Sequence, residues 1–134
     1  QAQILDILAR LKRDFRLSLL LITHDLGVIA EVADRVAVMY TGKVVEEAPV
    51  REIFSNPKHP YTLGLLNSIP KLHKDSGKRS RLPTIDGMVP DLLHLPPGCP
   101  FMPRCTKAED RCAAGPPPWR SVGSDHHARC VLNE

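Results

Sequence analysis

The chain has 134 residues, 43% of them apolar and 25% charged, with a formal net charge of +3; this composition sustains a folded domain with a modest core and excludes wholesale disorder. Its longest near-continuous apolar stretch, Leu17 to Ile22, falls far short of the roughly 18 to 20 residues of a membrane-spanning helix, so no bilayer crossing is expected. Gln1 to Asp6 has neither a basic leader nor an apolar core, and reads as the inside of a helix rather than as an export signal.

Ile4, Leu5, Leu8, Leu11 and Phe15 recur at helical spacing with Asp6, Arg10, Lys12 and Arg13 opposite, which predicts an amphipathic helix. Leu17 to Thr23 is apolar without alternation, the pattern of a strand buried on both faces of a parallel sheet. His24 follows at its carboxyl end, where open α/β folds bind ligands and where an imidazole N–H can read a phosphate oxygen. Asp25 is placed to cap a helix over Leu26 to Val32. Val36 to Tyr40, the turn Thr41-Gly42 and Lys43 to Ala48 read as a hairpin, and Pro49 opens a short helix through Phe54. The order predicts an α/β layer structure, although the several neighbouring strands that a doubly wound sheet requires are missing.

Character changes near Asn56-Pro57. Of the 13 prolines only Pro49 precedes Pro57, and Cys99, Cys105, Cys112 and Cys130 all follow it. Four stretches are expected: residues 1–56 as the α/β part, 57–70 as a proline-fixed turn and helix, 71–81 as a basic linker, and 82–134 as a loop-rich, proline- and cysteine-rich region. In the second stretch the helix runs from Thr62 to Ser68, Tyr61 packs against the helix of residues 50–54, and His59 has a structural role. The linker charges Lys71, Lys74, Lys78, Arg79 and Arg81 carry no interleaved aromatic residues, which argues against nucleic acid as a partner. In the last stretch the spacing C-x₅-C-x₆-C-x₁₇-C predicts a staple for a segment with little core. Disulfides, zinc and an iron–sulfur cluster compete for that role, zinc favouring tighter pairs than these. His126 and His127 are expected as exposed loop residues, with a Cys₃His site as the lesser reading, and Trp119 as a packing plug.

The run Leu20-Leu21-Ile22-Thr23-His24-Asp25-Leu26, with Ala33-Asp34-Arg35-Val36-Ala37-Val38-Met39 and Gly42-Lys43-Val44-Val45-Glu46, resembles the last third of an ABC-transporter ATPase domain. The resemblance implies that His24 is the switch histidine, contacting the γ-phosphate of ATP beside Mg²⁺ in the intact subunit. No G-x-x-x-x-G-K-[ST] loop occurs in these 134 residues, so the chain is expected to be part of a longer ATPase and not to hydrolyse ATP by itself. Asn56-Pro57-Lys58-His59-Pro60-Tyr61-Thr62 is similar to the C-terminal extension of ATP-binding subunits in oligopeptide, dipeptide and nickel importers. That branch implies transmembrane permease subunits, a second ATP-binding subunit and, indirectly, an external peptide-binding protein. It implies a peripheral place on the cytoplasmic face of a bacterial or archaeal inner membrane, where disulfides are disfavoured. Some members hold a [4Fe–4S] cluster on four matching cysteines, which implies the same for Cys99, Cys105, Cys112 and Cys130, with free or oxidised thiols as the next alternative and zinc less favoured. The rival functional readings are a stand-alone cysteine-rich iron–sulfur or zinc module and a zinc protein that binds nucleic acid. Without strand neighbours Leu19 to Ile22 would leave backbone and apolar groups open, so self-association of the isolated chain is expected.

Overall fold

The structure, a computed structural model, describes residues 2–69 and 84–133. The expected basic linker, residues 71–81, lies outside the described residues. The chain divides into two compact units, residues 1–34 and 35–134.

The first unit holds α1 (Ala2–Asp14) and α2 (Leu26–Val32). Of the apolar stripe on α1, Leu5 and Leu8 are half-buried while Ile4, Leu11 and Phe15 are exposed. Leu5, Leu8, Leu19, Leu21 and Val32 line a shallow groove. Asp25 caps α2 as its position predicts, accepting from the N–H of Gly27 at 2.9 Å and of Val28 at 3.2 Å.

The strand expected over residues 17–23 is not formed. This segment carries no strand pairing, and Leu20 and Ile22 are 87% and 90% exposed. The physical reason is that a strand buried on both faces needs ladders on both edges, and no described segment of this chain pairs with it. Among the described residues the sheet is antiparallel throughout, so the structure is a mixture of helices with an antiparallel sheet rather than a parallel layer.

The second unit opens with β1 (Arg35–Tyr40) and β2 (Lys43–Pro49), joined at Thr41 and Gly42. Both turn residues have positive φ, 47° and 76°, the left-handed pair that a two-residue hairpin demands. After β2 come α3 (Val50–Ser55) and α4 (Pro60–Asn67), then three short 3₁₀ turns with β3 (Arg120–Gly123) and β4 (His126–Ala128) among them. The sheet order is β1-β2-β4-β3. Strand β4 lies against β2, with Glu46 opposite Ala128 and Glu47 opposite His127. The compositional break near Asn56-Pro57 therefore falls inside one sheet-bearing unit.

Val45 and Glu46 point to opposite faces of β2 and are both buried, so both faces of the strand are covered there. Val45 joins Tyr40 and Phe101 in the core, with Tyr61, Ile85, Cys99 and Cys105 packed around them. The rings of Tyr40 and Tyr61 are 4.7 Å apart and that of Phe101 meets Tyr40 edge-on at 5.3 Å, the tilted geometries that aromatic quadrupoles favour. Tyr61 thus finds its ring partners in β1 and in the cysteine-bearing segment. Arg104 ties residues 85–86 to this core by donating to the carbonyls of Ile85 and Asp86 and to the Tyr40 hydroxyl. Among the described residues no helix is long and apolar enough to cross a membrane.

Candidate functional site

His24 is exposed on the bend between the extended segment and α2. The Asp25 N–H donates to Thr23 Oγ1 at 3.0 Å, and the Asp25 carboxylate is committed to the helix cap.

The four cysteines come together in the second unit. Cys99, Cys105, Cys112 and Cys130 line one small pocket, closed by His59, Phe101 and Pro117. All four are free thiols; Cys112 is buried and the others are half-buried. Cys99 and Cys112 meet through the backbone, the Cys99 N–H donating to the Cys112 carbonyl at 2.8 Å. Gly98 permits this approach, since a Cβ there would lie 2.3 Å from that same oxygen. Turns set the neighbouring positions, with the Met102 N–H on the Cys99 carbonyl and the Cys105 N–H on the Met102 carbonyl.

Burial pushes the thiols of Cys99, Cys105 and Cys130 above their ordinary values, and their closeness to one another adds to the rise. Peptide N–H groups of Phe101 and Met102 oppose this at Cys99, as do those of Lys107 at Cys105 and Leu132 at Cys130. Main-chain donors two or three residues after a cysteine stabilise negative charge on sulfur, as the surroundings of a metal-bound thiolate must. Yet among the described residues no group of three or more His, Cys, Asp or Glu side chains has the geometry to hold a metal ion as it stands. The donor set therefore fits thiolate ligation in kind, but it is not gathered around a single-ion centre.

Beside this pocket lies a second polar cluster that sequence reasoning did not find. Glu46 is fully buried, and its Oε1 accepts from the Lys58 N–H at 2.6 Å and pairs with His126 Nε2 at 2.7 Å. Its Oε2 accepts from the His59 N–H at 2.9 Å. His126, expected as an exposed loop residue, is 1% exposed on β4 and turned toward Glu46 rather than toward the thiols. His127 is half-buried and stacks on Trp119, whose other contact is the Arg129 guanidinium 5.3 Å away; Trp119 is thus a partly exposed stacking platform rather than an interior plug. His59 is structural as expected: Nδ1 accepts from the Tyr61 N–H at the start of α4, and the ring meets the Arg129 carbonyl.

The exposed histidine ahead of a capped helix lies in the first unit, and the hairpin, the histidine-capped turn and the four-thiol pocket lie in the second. The sequence matches the profile of the oligopeptide/dipeptide transporter C-terminal region over residues 45–112, half of its length, and the chain belongs to that family. Its relatives include a putative peptide import ATP-binding protein of Brucella ovis, 50% identical over 98% of this chain and 40% of the relative. The oligopeptide transport ATP-binding protein AppD of Bacillus subtilis is 50% identical over all of this chain and 40% of its own length. OppD of Mycobacterium tuberculosis, also an oligopeptide transport ATP-binding protein, is 47% identical over all of this chain and 22% of its own. The chain spans well under half the length of these curated relatives.

Proposed function

We propose that the protein serves as the carboxyl-terminal part of the ATP-binding subunit of a peptide importer, coupling ATP hydrolysis to transport through permease subunits. The observation that carries this reading is the similarity of nearly the whole chain to peptide import ATP-binding proteins, together with the family match that begins inside β2. In it, His24 donates an imidazole N–H to the terminal phosphate of ATP and helps hold the attacking water, while upstream sequence supplies the phosphate cradle and the Mg²⁺ ligands. The subunit sits peripherally at the cytoplasmic face of the membrane and pairs with a second ATP-binding subunit; an external binding protein delivers the peptide. The test is His24→Ala in the intact, permease-bound subunit. Hydrolysis is expected to fall on the order of a hundredfold with nucleotide binding retained, the signature of a group that acts mainly in the transition state. Unchanged turnover would overturn the assignment.

For the thiol pocket we propose a [4Fe–4S] cluster on Cys99, Cys105, Cys112 and Cys130. The shared pocket and the main-chain N–H donors to three of the sulfurs support it, and a four-iron cluster spreads its thiolates more widely than a single ion does. When bound, the cluster would supply a structural brace or a redox sensor for the extension. Anaerobic reconstitution with iron and sulfide should give a broad visible absorption that disappears when Cys105 and Cys112 are replaced by Ser. A protein that stays colourless while folded would refute the cluster and leave the transport assignment standing.

A further inference from the structure

We propose that Glu46 is a positioning residue for the thiol pocket: from the middle of the sheet its carboxylate fixes the segment that carries Cys130 against the other three thiols. Glu46 is fully buried, and three donors surround it, the amides of Lys58 and His59 and the ring of His126. A buried carboxylate is tolerated only while such donors stay in place, so it holds the turn at Lys58-His59 and strand β4 in a single arrangement.

Both of those elements lead to Cys130. Strand β4 runs directly into Arg129, whose N–H donates to the Val45 carbonyl at 2.8 Å and whose Nε donates to the Val44 carbonyl at 3.1 Å. On the other side the ring of His59 meets the Arg129 carbonyl and itself lines the thiol pocket. Beyond Cys130, Asn133 Nδ2 donates to the Lys58 carbonyl at 3.1 Å. Cys130 is therefore held from both sides by groups that Glu46 organises. The other three thiols are held differently, by the Cys99 to Cys112 backbone bond and the turns at Cys99 and Met102. Loss of the carboxylate should release one thiol out of four.

The inference concerns the arrangement of the thiols and stands whatever occupies the pocket. Its test is site-resolved alkylation of the reduced, metal-free protein with iodoacetamide, read by mass spectrometry. In Glu46→Ala, labelling of Cys130 should accelerate by about tenfold or more, with Cys99, Cys105 and Cys112 within about twofold of the unsubstituted protein. His126→Ala removes one of the three donors only; it should show the same selectivity at smaller amplitude and decides the matter if Glu46→Ala does not fold. Glu46→Gln, which keeps one good acceptor, should fall between Glu46→Ala and the parent. A uniform rise at all four cysteines in the folded variants would make Glu46 merely a stabilising residue, and an unchanged Cys130 would remove its role altogether.

Discussion

His59 uses its ring entirely inside the fold, Nδ1 as an acceptor for Tyr61 and the opposite edge toward the Arg129 carbonyl, so a second proton has no place to go. Burial lowers its pKa to about 4 from the ordinary 6.5, and the charge of Glu46 opposes the fall without cancelling it. The unfolded chain therefore takes up a proton near pH 6.5 while the folded one resists until about pH 4. Stability is full above that window and declines as pH falls through it, by about 3 kcal/mol at most from this one group. Denaturant titrations between pH 7 and 4 should show the loss, and His59→Gln, which keeps an acceptor and a donor but takes no proton, should flatten the slope. At this scale the cysteines and His59 were legible because spacing and the paired prolines of the turn mark them. Glu46 was not, because Lys43-Val44-Val45-Glu46-Glu47 offers two adjacent acids and no sign of which is covered. Its burial follows from a partner strand far along the chain.

Among the elements, the β1–β2 hairpin was legible from its turn, where Thr41 and Gly42 adopt the backbone that their position demands. The β3–β4 hairpin escaped notice because its strands are only four and three residues long and β3 is largely exposed, leaving no alternation to read. Its turn did carry a signal, Gly123-Ser124-Asp125, with Asp125 at φ 56° and bound to Arg35, which also holds Glu47 at 2.9 Å. The stretch 17–23 was misread for the opposite reason: composition records that a strand is meant to be covered, but not where its cover comes from. Among the described glycines the tightest surroundings are at Gly98, where a side chain would strike the backbone of Cys112 and Ala113. Gly98→Ala should destabilise the second unit by about 1–3 kcal/mol, the usual cost of overpacking, and the main-chain obstacle argues for the upper end. Thermal unfolding would measure it, and a melting point equal to the parent's would show that the Cys99–Cys112 contact can shift without cost.

For the whole molecule, Leu17, Leu19, Leu20 and Ile22 form an extended segment that is largely open to solvent. Such a segment is a template for pairing with another chain. The 134-residue chain should therefore self-associate, and replacing Leu20 and Ile22 by Asp should shift it toward monomer in light scattering at high concentration. A parent chain that remains monomeric there would show that the groove of the first unit satisfies this segment. In the second unit the sheet closes late: Glu46 waits for His126, 80 positions further on, and the inner edge of β2 waits with it. On the ribosome, the first hairpin must emerge with a hydrated carboxylate and an open edge, and it can mature only after residues 126–128 have been made. Loop closure over such a span is slow. The nascent chain thus passes through an interval in which β2 is available to wrong partners, and synthesis that stalls before residue 126 leaves it there.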